Sequence, residues 1–182
     1  LISEDFEING TPTLYDIKGN KIENPKEIFI KNNIINFDAI KEIEKSGFTV
    51  QSGTKGKEKL YIFTSTKCPN CIEQFKDKKM LSYLANKYEM YFVLMATGNG
   101  KQALDELAYL YSIDDMKKRE AEFIEIMNGK VINPDLLKIT SFTDEHKQKI
   151  NKYGQSLEST FITGTPTIVN SKGQIVKNGK EL

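Results

Sequence analysis

Two stretches of this chain are apolar over strand length. Leu60-Tyr61-Ile62-Phe63 is a short β-rich run, and Met90-Tyr91-Phe92-Val93-Leu94-Met95-Ala96 is apolar at every position, which predicts a strand covered on both faces and therefore central in its sheet. Elsewhere the apolar residues follow a helical period. Phe37, Ile40 and Ile43 recur every three residues and the pattern stops at Ser46-Gly47, which predicts a helix over 37–45 with a glycine stop. Ile72, Phe75, Met80, Leu81, Leu84 and Ala85 predict a helix running to about Tyr88, bent near Lys76 to Lys79. Between about 98 and 161 two helical stripes follow, Leu104, Leu107, Ala108 and Tyr111, then Met116, Phe123, Ile124 and Met127, both expected to face the core. A third helix starts near Thr143-Asp144-Glu145, where Thr can cap and the acids suit the positive end of the dipole.

Turn chemistry supplies the remaining elements. Thr13 to Asp16 and Lys21 to Glu23 flank Lys18-Gly19-Asn20 as a hairpin, Ile28 to Ile30 is a short third apolar stretch, and Thr167 to Asn170 and Ile175-Val176 flank a second hairpin. Gln51 to Lys59 is polar, contains Gly53 and Gly56, and reads as a loop. Strand, helix, strand, helical block and hairpin in that order predict an α/β layer architecture rather than a helix bundle.

Composition narrows the function classes. With 26 basic and 25 acidic residues the net charge is +1, and Arg119 is the only arginine, so neither nucleic acid nor an anionic membrane is expected as a partner. The longest apolar run is strand length, well short of the roughly 20 residues of a membrane span. At 182 residues the chain has room for one ordinary domain and a smaller appendage. It begins at Leu1 without an initiator Met, so a mature or truncated form is expected.

The chemistry is concentrated in Cys68-Pro69-Asn70-Cys71, which holds the only two cysteines and lies where the 60–63 strand gives way to a helix. Half of a zinc site would need two further Cys or His ligands. The chain has one histidine, His146, which falls in a polar helix and is expected to be a solvated surface residue, so neither a metal nor a cofactor is expected. Thiol-disulfide chemistry fits instead. The free N–H groups of a first helical turn and the helix dipole favour Cys68 as a thiolate, Lys67 adds a positive charge, Pro69 at the first helical position costs no hydrogen bond, and Asn70 is the third expected tuning residue.

Together with Gly164-Thr165-Pro166, this motif resembles the thioredoxin superfamily, in which such a dithiol at a helix start faces a cis-proline loop. Phe63-Thr64 ahead of the first cysteine, the helical insertion with Met127-Asn128-Gly129-Lys130, and the threonine before the proline are similar to bacterial periplasmic thiol:disulfide interchange proteins of the DsbC/DsbG type. The chain departs from cytosolic thioredoxins in having no Trp before Cys68 and Ile62 at a position often acidic there. The resemblance implies a thioredoxin-like fold with a helical insertion at about 98–161, within a catalytic domain at 51–182. Upstream it implies a linker helix at 37–50 and a partial β-rich dimerisation-like segment at 1–36. It implies that Cys68 is the nucleophile, Cys71 the resolving thiol, and Thr165 and Pro166 a ledge for substrate.

The implied activity is disulfide isomerisation or reduction of misoxidised secreted proteins, with a DsbA-like disulfide donor or a non-catalytic chaperone as alternatives. The implied partners are proteins with non-native disulfides and a membrane thiol reductant, with a homodimer possible, in the periplasm or outside the cell. A second reading of the N-terminus stays open. Asn9 to Ile28 aligns without gaps to Thr163 to Leu182 with 9 identities in 20 positions, so residues 9–46 could instead close a second thioredoxin-like unit.

Overall fold

The computed structural model of the protein describes residues 14–15, 21–22, 35–96, 100–137 and 143–176, the first two pairs as backbone only. β1 (Leu14–Tyr15) and β2 (Lys21–Ile22) pair antiparallel with Leu14 opposite Ile22, where the two strands of a hairpin were expected. Ile28 to Ile30 and the remainder of 1–34 lie outside the described residues. There follow α1 (Phe37–Lys45), β3 (Val50–Gly53), β4 (Glu58–Thr64), α2 (Pro69–Lys76), α3 (Lys78–Lys87), β5 (Tyr88–Leu94), α4 (Gly100–Tyr111), α5 (Met116–Met127), α6 (Asp144–Ser159) and β6 (Thr167–Asn170).

The main sheet has the order β3-β5-β4-β6. β4 runs parallel to β5 and antiparallel to β6, while β3 closes the other side antiparallel to β5. The two apolar runs of the sequence are thus the two inner strands. Leu60 to Phe63 and Met90 to Leu94 are all buried. The pleat sorts their side chains: Tyr61 stacks on Tyr91 at 5.5 Å between ring centroids and meets Phe37 of α1 edge-on at 5.7 Å. On the opposite face Phe92 packs against Phe75 of α2 and Phe123 of α5, at 6.2 and 5.2 Å. Helices therefore cover both faces, as two continuous apolar strands require.

Capping residues mark the helix ends. Asn36 caps α1, Asp115 caps α5 and Thr143 caps α6, each accepting from a backbone N–H of the first turn. Arg119 of α5 is buried and spends its guanidinium on backbone: Nη1 donates to Gly47 O at 2.5 Å and Nε to Ile113 O at 2.9 Å. The lone arginine is thus a clamp between the helical insertion and the turn after α1. α1 buries Ile40 and Ile43 completely in the main core and packs on α6.

Three sequence expectations need correction. Gln51 to Lys59 is not all loop: residues 51–53 belong to β3 and 58–59 to β4. β3 is a short edge strand with one fully buried side chain, Val50, so it leaves no apolar alternation to read. The helix after Cys71 is not one bent helix but two. Asp77 ends α2 and caps α3, its carboxylate accepting from Met80 N at 3.0 Å, and that local bond outcompetes continuation. In the insertion, Leu104, Met116 and Ile124 face outward, 43%, 51% and 37% exposed, and Ile126 takes a core place instead.

Gly53 sits where β3 passes closest to the end of α3. Its φ is +88°, and a Cβ there would stand 2.5 Å from Tyr88 O and 3.2 Å from Ala85 O, both backbone atoms that cannot swing aside. Gly53→Ala is expected to lower unfolding stability by about 2 kcal/mol in a denaturant titration. An unchanged midpoint would show that this edge strand is not held as described.

Candidate active site

β4 ends at Thr64 and the chain turns through Ser65, Thr66 and Lys67 into α2. Cys68 is the N-cap of that helix, with extended backbone (φ −86°, ψ 116°), and Pro69 follows at the first helical position. The turn is tied by Cys68 N donating to Ser65 O at 3.2 Å, and α2 begins with Ile72 N donating to Cys68 O at 3.0 Å. Cys68 is half-buried, Pro69 and Asn70 are exposed, and Cys71, one turn in, is 2% exposed. Cys71 is enclosed by Ile62, Thr64, Phe75 and Leu84 on the α2 face of the sheet.

The loop before β6 comes to meet the first cysteine. β6 pairs with β4 in the register Phe63 opposite Thr167, and carrying that register two residues on sets Thr165 level with Ser65. Cys68 Sγ consequently lies 3.4 Å from Thr165 O. The Thr165-Pro166 peptide is cis. Cys68 and Thr165, 97 residues apart in sequence, are in this way brought to one point by the pairing of β4 with β6.

The two sulfurs differ in electrostatics. Burial pushes the Cys68 thiol up, but hydrogen bonds from the Cys71 thiol, from Thr165 and from the Cys71 and Asn70 N–H groups outweigh it and leave it below the ordinary thiol value. Burial pushes the Cys71 thiol up, and the hydrogen bond it gives to Cys68 adds to the rise. The N–H groups of a helix start thus favour the thiolate at Cys68, while burial favours the thiol at Cys71.

Lys67 has a partner that the sequence did not indicate. Its ammonium lies 2.6 Å from Glu106 Oε1 on α4, in an ion pair whose carboxylate is only 2% exposed. Sequence reading missed Glu106 because it sits in an amphipathic helix where a glutamate ordinarily faces water. The one available signal was its place between Ala103 and Leu107, both core residues of α4. His146, expected on the surface, is partly covered at the start of α6, with Nδ1 3.0 Å from Thr143 Oγ1 and Nε2 3.9 Å from Asp114. No group of three or more His, Cys, Asp or Glu side chains among the described residues could hold a metal, and no helix among them is long and apolar enough to cross a membrane.

No protein-family model matches the sequence, and no curated protein does. Solved structures do. The catalytic domain of Proteus mirabilis ScsC matches with a TM-score of 0.55 at 16% identity, over 76% of this chain and 88% of that one. A periplasmic thioredoxin-like protein from Salmonella enterica serovar Typhimurium matches with a TM-score of 0.55 at 16% identity, over 78% and 88%. Helicobacter pylori DsbG matches with a TM-score of 0.50 at 14% identity, over 80% of this chain and 62% of that one. The fold of this chain is thioredoxin-like, a mixed α/β sheet with a helical insertion.

The asymmetry of the two thiols is measurable by alkylation. With the protein reduced at pH 7, iodoacetamide is expected to modify Cys68 at least about tenfold faster than Cys71, read by peptide mass spectrometry. Because the thiolate reacts, the Cys68 rate should rise with pH with its midpoint below the ordinary thiol value of 9.0. Equal rates at the two sulfurs, or a midpoint above that value, would contradict the geometry.

Proposed function

We propose that this protein is a thiol:disulfide oxidoreductase that acts as an isomerase or reductase on misoxidised proteins in the periplasm or outside the cell. The observation that carries the reading is the pairing of a half-buried, acidified Cys68 at a helix N-cap, beside the Thr165 carbonyl, with a buried Cys71 whose thiol is raised. A cysteine pair kept for structure has no use for that difference.

In the proposed cycle the Cys68 thiolate attacks a substrate disulfide. A Cys68–substrate disulfide forms, the substrate S–S bond breaks, and the departing substrate sulfur takes a proton from solvent. The substrate chain lies along Thr165 and Pro166, where extended backbone can pair beside the sulfur. Two exits follow. A second substrate thiolate can attack the mixed disulfide, which returns Cys68 as a thiolate and leaves the substrate rearranged with no net electron transfer. Alternatively Cys71 loses its proton and attacks Cys68 Sγ. The Cys68–Cys71 disulfide then forms, the second substrate sulfur leaves as a thiol, and two electrons have passed to the substrate.

Isomerisation needs Cys68 reduced, so a membrane thiol reductant is the proposed partner, and the single cysteine pair leaves no other thiol to mispair in an oxidising compartment. Lys67, Pro69 and Asn70 are the proposed tuning residues. Residues 1–36 are proposed as a partial dimerisation segment, 37–50 as its linker helix and 51–182 as the catalytic domain. In that scheme α1, although packed into the main core, forms the linker.

The chain should restore activity to a scrambled-disulfide test protein in a glutathione buffer, and Cys68→Ala should abolish that recovery. Rapid oxidation of a reduced substrate without recovery of the scrambled one would make the protein a disulfide donor instead. Recovery that survives Cys68→Ala would make it a chaperone that uses the cleft without thiol chemistry.

Cys71→Ala removes the resolving thiol and should accumulate a substrate adduct on Cys68, visible as a band on a non-reducing gel that dithiothreitol removes. An adduct-free gel would deny Cys71 its role.

A further inference from the structure

The ion pair made by the residue before Cys68 is unusual in its burial. Glu106 Oε1 holds the Lys67 ammonium at 2.6 Å, with the two side chains 2% and 23% exposed. Its other oxygen, Oε2, is buried and accepts no hydrogen bond among the described residues. A buried carboxylate with one satisfied oxygen depends on its counter-ion, because nothing else in contact offsets the loss of water. Lys67 in turn is the residue before Cys68, in the turn that Cys68 N closes on Ser65 O. The pair borders a cavity of about 250 Å³ between α2 and the turn after α5, whose other charged walls include Lys76 and Lys130. Lys130 is already engaged by Glu122 and Glu125.

We propose that Glu106 is a positioning residue for the redox pair: its carboxylate holds the Lys67 ammonium at a fixed place next to Cys68 and offsets its charge, so that the pair sets the reduction potential of the 68–71 dithiol. The inference rests on the oxidoreductase reading above. Its physical basis is that Cys68, at a helix start, can ionise in the reduced protein and cannot in the oxidised one. A neighbouring positive charge therefore favours the dithiol state and a negative charge opposes it. Lys67 with Glu106 presents nearly balanced charge. Removing either member unbalances it in opposite directions.

The test is the equilibrium of the purified chain with glutathione. Oxidised glutathione and the protein dithiol give two glutathione thiols and the Cys68–Cys71 disulfide: one S–S bond forms, one breaks, and two electrons and both protons end on glutathione. Glu106→Gln keeps size and hydrogen bonding but leaves Lys67 unbalanced. It should move the equilibrium constant about threefold toward the dithiol, or about 14 mV more oxidising at 29.6 mV per tenfold. Lys67→Met should move it the other way, Lys67→Arg should stay near the wild type, and the double variant should return toward it. Thermal unfolding of each variant reports whether the fold is intact.

If folded Glu106→Gln and Lys67→Met both keep the wild-type potential, the proposal is overturned. If Glu106→Gln does not fold, Lys67→Met and Lys67→Arg decide: a shift for Met alone supports the proposal, and equal potentials overturn it. A wild-type chain that does not exchange with glutathione at all would instead remove the oxidoreductase reading, and this inference with it.

Discussion

The site depends on the position of β4 in the middle of the sheet. Because β4 pairs on one side with β5 and on the other with β6, the turn leaving its C-terminal end is held against the turn entering β6. Neither the Cys68 turn nor the Thr165 loop needs a long-range side-chain bond to find the other. The register does it, and the register is enforced by burial, since a one-residue slip would carry Tyr61 and Phe63 to the face now filled by Ile62 and Leu60. The aromatic packing on both faces, Phe37 with Tyr61 and Phe75 with Phe92 and Phe123, holds the site's geometry from beneath.

Upon that scaffold a single helix start creates two unlike sulfurs from one short motif. Three residues of helix carry Cys71 about one turn inward, under the side chains of Phe75 and Leu84, while Cys68 stays at the rim where the first-turn N–H groups point. The difference arises from backbone geometry and depth. The charge of Lys67, held by the Glu106 carboxylate, is a separate influence on the same site.

Much of this was legible before folding. The 60–63 and 90–96 runs announced the inner strands, Gly47 and Thr143 marked helix ends, and Cys68 with Thr165-Pro166 named both sides of the cleft, because each is a local signal with one physical cause. What escaped was relational. β3 is a strand because β5 offers it an open edge, and nothing in Gln51 or Ser52 says so. Asp77 divides a helix because its carboxylate finds a backbone N–H there, which competes with an equally plausible continuous pattern. Glu106 is buried because Lys67 waits across the insertion, and helical spacing alone would have put it in water. The exposure of Leu104, Met116 and Ile124 shows the converse, apolar residues at core spacing that face away from the core.

The depth of Cys71 has a kinetic consequence. Only one of the two sulfurs is open to a macromolecule, so any protein that takes electrons from the pair and any protein that restores them must dock on the same face, over Cys68. Two such partners exclude each other. Under the oxidoreductase reading proposed above, turnover would be ping-pong, with each half-reaction competitively inhibited by an excess of the other partner.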